Sequence, residues 1–118
     1  MQGGKGIYLI MDVTYDSKKN RKNVRLRRLP LSLGGVVLDD EERIERHDDA
    51  HSTPEEDRLQ TIGLAGKMLF VVYMENGDKP HIISIRLADA EERRLYYGHS
   101  DLQPRGWYRV NPGRNGNA

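Results

Sequence analysis

Three arginines stand at the boundaries of consecutive segments in the second half of the chain. Arg58 begins one apolar run, Arg86 lies near the end of another, and Arg93 belongs to the segment that follows. A guanidinium offers a planar fork of donors to anionic oxygens, so arginines gathered at one end of a sheet would bind phosphate. The alternative is that they form surface ion pairs, which contribute little stability. The candidate partners are Glu56, Glu91 and Glu92.

A basic segment near the start of the chain is a second candidate site. Seven basic residues and no acidic residue lie between Ser17 and Arg28. A predicted helix with no acid to balance its cations favours contact with nucleic acid, and a solvated helix face is the alternative. The residues that we predict to contact nucleic acid are Lys19, Lys22, Arg27 and Arg28.

Groups for proton transfer are fewer. His51 and Tyr96 are the candidates for general acid and base. His47 and His51 stand beside two aspartates, a composition that suits a metal, but their spacing matches no established metal site, and a solvated loop is the simpler interpretation. We predict neither a metal nor another cofactor. The absence of cysteine excludes disulfides, thiolate zinc sites and cysteine nucleophiles.

The elements that must position these residues are clearest between Asp57 and Tyr97. Three runs of strand character are separated by two short turns, which predicts an antiparallel meander. The runs are Leu59–Ala65, Met68–Met74 and His81–Leu87, and the turns are Gly66-Lys67 and Asn76-Gly77. Asp89 and Glu92 have the spacing of a capping box, which predicts a helix from Ala90 to Tyr97 that ends before Gly98. Such a meander could bring the three arginines to one end of the sheet.

The first half of the chain predicts two helices and one strand. They are a helix from Lys18 to about Arg28 that Asp16 or Ser17 caps, a short helix Leu33–Leu38 that Ser32 caps, and an exposed edge strand Arg43–Arg46. A polar loop follows from Asp48 to Glu56. The fold class is therefore α+β, with a mainly antiparallel meander sheet, two N-terminal helices and one C-terminal helix.

Composition sets the broad class of the protein. The chain has 118 residues, 36% of them hydrophobic and 31% charged, with no apolar run long enough to span a membrane and no secretory signal, so we expect one soluble cytoplasmic domain. We predict an N-terminal extension over residues 1–10, the main domain over 11–98 and a loosely attached tail over 99–118. In that tail, Trp107 and Tyr108 would either stack on bases or pack over the sheet.

The order of these motifs resembles the BrnT family. The most specific part is Ile82-Ile83-Ser84-Ile85-Arg86 followed by Glu92-Arg93-x-x-Tyr96, and the likeness extends upstream to about Asp12. The upstream matches are Thr14-Tyr15-Asp16-Ser17, Lys19, Asn23, Asp48, His51-Ser52 and Glu56-x-Arg58. One departure is that Leu26-Arg27-Arg28 stands where the family carries lysine-histidine-glycine.

The resemblance implies a function and a partner. BrnT proteins are small, metal-independent ribonuclease toxins with a RelE-like fold, and a BrnA antitoxin neutralises them. It implies RNA cleavage through attack of the ribose 2′-hydroxyl, with Arg58, Arg86 and Arg93 stabilising the charge of the transition state, and a hetero-oligomer with the antitoxin. Because the family histidine is replaced by Arg27, weak activity is expected. A module that only binds antitoxin or nucleic acid is the alternative, and a structural protein whose three arginines point apart is a third.

Overall fold

The computed structural model describes residues 12–98 and 104–111, which form a six-stranded sheet with packed segments on both faces. The strands are β1 (Thr14–Tyr15), β2 (Ile44–His47), β3 (Arg58–Ala65), β4 (Lys67–Asn76), β5 (Lys79–Leu87) and β6 (Tyr108–Arg109). The helices are α1 (Ser17–Arg27), α2 (Leu33–Leu38) and α3 (Ala90–Tyr97), and a short 3-10 turn covers Pro104–Gly106. No helix in these described ranges is long and apolar enough to cross a membrane.

The sheet is built around the predicted meander. The strand order is β1-β5-β4-β3-β2-β6, and every neighbouring pair is antiparallel except β1 with β5. This arrangement confirms the predicted α+β class. β4 is the longest strand and lies between β3 and β5, as its continuous apolar sequence predicts for a strand covered on both faces.

The two turns of the meander depend on glycine. Gly66 alone separates the paired residues Ala65 and Lys67, with a φ of 75°. In the second turn Asn76 pairs with Lys79, so the two central residues are Gly77 and Asp78. The predicted Asn76-Gly77 centre is therefore wrong by one residue. Gly77 has a φ of 70°, and a glycine at the first central position is typical of a type II′ hairpin turn.

Local capping signals set the ends of the helices. The Asp16 carboxylate accepts the Lys19 backbone N–H at 2.9 Å, and Arg28 ends α1 in the left-handed conformation with a φ of 60°. The capping box of Asp89 and Glu92 at the start of α3 is confirmed. The predicted end of α3 before Gly98 is also confirmed, and Gly98 has extended backbone there. The expected cap of α2 is wrong, because the Ser32 side chain makes no capping hydrogen bond.

One face of the sheet is covered by α2 and the segment before it. This core consists of Leu29, Leu31, Val37, Leu38, Leu69, Val71, Tyr73, Ile82 and Ile85. Gly34 allows the close approach of α2, since a Cβ at this position would lie 2.6 Å from Cδ1 of Ile82. The adjacent glycines of α2 thus favour packing, although they weaken the helix itself.

The opposite face is covered over only part of its area. Its core consists of Ile44, Ile62, Met68, Phe70, Ala88, Tyr96 and Trp107. The Phe70 and Trp107 rings meet edge to face at 6.4 Å. Trp107 is only 3% exposed and packs over the sheet, whereas Tyr108 is 48% exposed. The division of the chain into extension, domain and tail stays a prediction, and residues 1–10 lie outside the described residues.

The predicted edge position of β2 is wrong. β6 pairs with β2 on the side away from β3, so β2 lies inside the sheet. Ile44 is fully buried, and the buried Glu45 accepts a hydrogen bond from the Tyr73 hydroxyl. Burial raises the pKa of Glu45. The charged sequence of β2 concealed this position because its neighbour is a two-residue strand more than sixty positions later.

Candidate functional site

The structure does not bring Arg58, Arg86 and Arg93 together at one end of the sheet. β3 and β5 run in the same direction, so the start of β3 and the end of β5 lie at opposite ends. Arg58 pairs with Met74 of β4 and Arg86 with Phe70, four residues apart, which corresponds to about 13 Å along the strand. The predicted gathering of the three arginines is wrong for this geometric reason.

Two of these arginines form ion pairs, which is the alternative that the sequence predicts. Arg58 contacts Glu56 at 3.2 Å, with side chains 31% and 41% exposed. Arg86 donates two hydrogen bonds to Glu92, at 2.9 and 2.8 Å, and its guanidinium lies 4.0 Å from the centre of the Phe70 ring. The bonds with Glu92 raise the pKa of Arg86.

Glu92 is also a member of the α3 capping box, so Arg86 is tied to the start of the helix. Arg93 donates to the Ala88 carbonyl at 2.9 Å and lines a groove along α3. Both residues therefore have partners that secure α3 against the sheet.

A cleft between α1 and β5 does collect most of the predicted basic contacts. We call it the basic cleft; it encloses about 400 Å³ and is lined by Lys19, Lys22, Asn23, Leu26, Arg27, Leu31, Arg58, Ile83 and Ser84. Four of these residues are cationic, and none of the described lining residues is acidic. Arg28 is not part of this lining. An open groove with four cations and no carboxylate is a suitable surface for several phosphates.

Polar contacts hold α1 beside the cleft. None of the residues of α1 is buried. Asn23 donates to the carbonyls of Leu29 and Ile85, at 2.7 and 3.3 Å, and Arg27 donates to the same Ile85 carbonyl at 3.1 Å. Asn20 accepts the Leu31 N–H at 2.7 Å. These contacts hold the helix against the part of the β5 edge that β1 leaves unpaired, and Lys19 and Lys22 remain in the cleft.

The uncovered part of the sheet continues from the basic cleft. Arg46, Gln60, Val72 and Ser84 are paired in register across β2, β3, β4 and β5, so they lie in one row on one face, and all four are half-buried. Arg58 stands two residues before Gln60 and shares this face. We call this row together with Arg58 the open face. Arg58 thus belongs to both the open face and the basic cleft.

A second cleft lies at the other end of the row. This histidine cleft encloses about 260 Å³ and is lined by Arg46, His47, Asp48, Asp49, Ala50, His51, Gln60 and Arg105. Nδ1 of His51 lies 3.1 and 3.2 Å from the two oxygens of Asp48. The backbone of this loop contacts Arg58, because the Asp48 N–H donates to the Arg58 carbonyl at 2.8 Å.

Asp48 can orient the imidazole of His51. Burial raises the pKa of Asp48, but hydrogen bonds from His51 and Gln60 and the charge of His51 outweigh it, so the pKa lies below its usual range. Asp48 is therefore ionised at neutral pH and accepts the Nδ1–H of His51. This leaves Nε2 of His51 to accept or release a proton.

His47 has a different environment. Its Nδ1 lies 2.6 Å from Asp49 and its Nε2 lies 3.2 Å from Asp57. Hydrogen bonds to these two carboxylates raise the pKa of His47 and favour the doubly protonated ring. A ring that holds both protons is a poor general base. His51 is thus the better placed of the two histidines for proton transfer.

Tyr96 belongs to the core. Its side chain is 5% exposed, and its hydroxyl donates to Asp40 at 2.7 Å. Burial and this hydrogen bond raise the pKa of Tyr96. It lines neither the basic cleft nor the histidine cleft.

Arg46 and Gln60 are the residues that sequence reasoning missed. The charges of the Arg43–Arg46 segment predict an exposed edge strand with Arg46 on the surface, and the sequence indicates no role for Gln60. No local signal in either segment indicates that they share a row, since that row depends on the pairing of β2 with β3. Among the described residues, no group of three or more histidine, aspartate or glutamate side chains is placed to hold a metal ion.

Comparison with known protein families identifies the family of the chain. The family described as the ribonuclease toxin BrnT of type II toxin–antitoxin systems matches residues 15–92. The chain belongs to the BrnT family. The resemblance seen in the sequence is thereby confirmed, and a ribonuclease toxin that is paired with an antitoxin is the general function of this family. A comparison with individually curated proteins finds no significant match.

The BrnT match covers most of the candidate site. It includes α1, the open face and the loop with His51, and it ends within α3. Arg105, Trp107 and β6 lie beyond it. The basic cleft is therefore built entirely from residues of the BrnT region, whereas the histidine cleft receives one wall from outside that region.

Proposed function

We propose that this protein is a metal-independent endoribonuclease toxin that acts in the cytoplasm and is neutralised by a BrnA-like antitoxin. A single RNA strand would lie in the basic cleft and continue over the open face. The observation that carries this proposal is the position of Arg58, which lines the acid-free basic cleft and lies beside the loop that holds His51.

The basic cleft supplies the affinity for RNA. Lys19, Lys22 and Arg27 bind successive phosphates, and binding releases the counterions that surround them. Affinity should therefore fall steeply with salt concentration. Leu26 and Ile83 line the same cleft and offer apolar surface to a base.

Arg58 stabilises the negative charge that develops on the phosphorane. Its ion pair with Glu56 is half-exposed and contributes little, so an incoming phosphate can replace the carboxylate. A guanidinium that bridges two phosphoryl oxygens acts without any proton transfer. In this proposal Arg86 and Arg93 hold α3 against the sheet and Tyr96 packs in the core.

His51 transfers the proton. Its Nε2 takes the proton of the ribose 2′-hydroxyl and then returns it to the departing 5′ oxygen, while Asp48 holds the ring. Between these two transfers the 2′-oxygen attacks phosphorus, and the bond from phosphorus to the 5′ oxygen breaks.

Cleavage of a single-stranded RNA by matched arginine variants tests the proposal. Arg58→Ala should lower kcat/KM about 10²-fold, Arg58→Lys should recover part of that loss, and cleavage should persist in EDTA. Arg93→Ala is the control, because it removes the same charge outside both clefts and should change cleavage by less than about 3-fold. Equal losses in the two variants, or full activity in Arg58→Ala, would overturn the assignment.

A binding module without useful catalysis is the second candidate function. It is favoured by Arg27, which stands where the family carries histidine, so that the basic cleft has no imidazole of its own. This alternative predicts tight, salt-dependent RNA binding by the unmodified protein with no cleavage above that of a His51→Ala, Arg58→Ala double variant.

A further inference from the structure

The environment of Arg46 differs from that of the other arginines on this face. Its Nε donates to the Gln60 side chain at 2.7 Å, its Nη1 donates to the Arg105 carbonyl at 3.1 Å, and its guanidinium lies 4.6 Å from the centre of the Trp107 ring. All three partners are uncharged. None of the ion pairs found among the described residues includes Arg46.

The segment that carries Trp107 is firmly attached to the sheet. β6 pairs with β2, and Arg109 donates to the carbonyls of Glu42, Tyr96 and Gly98. Trp107 is almost fully buried, so its ring is a fixed support beneath the Arg46 guanidinium. A cation held over an aromatic ring by neutral hydrogen bonds keeps its charge available for an anion.

Arg46 also has the right position for a second phosphate. It is offset from Arg58 by one strand and two residues on the same face, which corresponds to about 8 Å between their Cα atoms. An offset of this size allows Arg46 and Arg58 to contact two different phosphates of one strand. Arg46 lines the histidine cleft as well, on the side of Arg58 that faces away from α1.

We propose that Arg46 binds a second phosphate of the RNA strand, beyond the phosphate at Arg58, and that Trp107 positions Arg46 for this contact. The inference rests on the proposed function, because it takes RNA as the ligand of the open face. It adds a subsite that the C-terminal segment completes from outside the region shared with the BrnT family.

The first experiment measures binding with a short single-stranded RNA whose riboses are 2′-O-methylated, so that the 2′-oxygen cannot attack. Arg46→Gln should weaken binding about 10-fold and reduce the slope of log affinity against log salt by about one, as expected for the loss of one phosphate contact. Arg46→Lys should restore the slope. Arg94→Gln on α3 is the control and should change neither quantity. An unchanged salt slope in Arg46→Gln would overturn the inference.

The second experiment tests whether Trp107 acts through Arg46. Trp107→Leu should lower stability and weaken RNA binding, whereas in the Arg46→Gln background the same change should lower stability without a further loss of binding. Trp107→Phe keeps an aromatic ring and should retain most of the RNA binding. This variant provides the test if Trp107→Leu fails to fold. Equal losses of binding in both backgrounds would show that Trp107 does not position Arg46.

These outcomes separate the subsite from the proposed catalysis. If Arg58→Ala abolishes cleavage while Arg46→Gln binds RNA normally, only the subsite is wrong. If Arg58→Ala cleaves normally while Arg46→Gln loses affinity and salt slope, the catalytic assignment fails and the subsite stands.

Discussion

Arg27 is one of the side chains that face the phosphates in the basic cleft. It contributes a permanent cation, and its Nη1 is engaged with the Ile85 carbonyl. Arginine stays protonated at all accessible pH values, so it supplies charge but cannot act as a base. An imidazole at this position would be a second proton acceptor close to Arg58.

We predict that Arg27→His raises cleavage above that of the unmodified protein. A solvated imidazole titrates at about pH 6.5, so the gain should appear as pH rises through that value and the base becomes neutral. The measurement is kcat/KM against pH. Arg27→Gln removes the cation without supplying a base and should only weaken binding. A gain of the same size in Arg27→Gln, or none in Arg27→His, would contradict the prediction.

At the scale of single residues, the sequence predicts which types of residue form the candidate site. It does not predict which of these residues lie close together. The acid-free run from Ser17 to Arg28 is visible in the sequence, and the structure places three of its cations in one cleft. The separation of Arg58 from Arg86 follows from strand direction, which residue types do not encode. The sequence predicts the ion pair of Arg86 with Glu92 only as one of two alternatives, the other being a phosphate-binding cluster of arginines.

At the scale of elements, the contact between α2 and β5 depends on a missing side chain. A Cβ on Gly34 would lie 2.6, 2.8 and 3.1 Å from three carbons of Ile82, which is itself fully buried. Neither residue can move without disturbing the packed core, so the helix would have to shift outward.

We predict that Gly34→Ala destabilises the protein by about 1–3 kcal/mol, the usual cost of overpacking a core. The helix propensity of alanine offsets only part of this, about 1 kcal/mol. The melting temperature should fall by several degrees. Ser32→Ala is the control, since the exposed Ser32 side chain makes no capping bond and its loss should leave the melting temperature unchanged. A melting temperature that rises in Gly34→Ala would contradict the prediction.

Elements with a local signal were predictable, and those without one were not. The three central strands carry continuous or alternating apolar patterns, and α3 carries its own capping box, so both were evident from the sequence. β1 and β6 have only two residues each, too few to show a period. They exist because the edges of the larger sheet offer them backbone partners.

At the scale of the whole molecule, the charges are separated along the chain. Ten acidic residues lie between Asp39 and Asp57, while the cations of α1 line the basic cleft. The acidic segment does not form one continuous surface, because Glu45 and Asp48 within it are buried. The family relationship implies an antitoxin partner, because a type II toxin is paired with a protein antitoxin.

We predict that the antitoxin covers the open face and the basic cleft, so that it excludes RNA by direct competition. Amides of α1 and β5 and the Arg58 side chain should then gain protection from hydrogen exchange or modification in the complex. The 2′-O-methylated RNA should be displaced as antitoxin is added. Binding of RNA to the intact complex with unchanged affinity would show that the antitoxin acts from another surface.

The pairing of β6 with β2 makes the order of synthesis matter. Arg46 leaves the ribosome 61 residues before Trp107, a delay of roughly 3–12 s at about 5–20 residues per second. During that interval β2 is the exposed edge of the nascent sheet, and Arg46 has no ring beneath it. A message truncated between the Glu92 and Trp107 codons would therefore encode all of the BrnT region and still leave this edge free to pair with another chain.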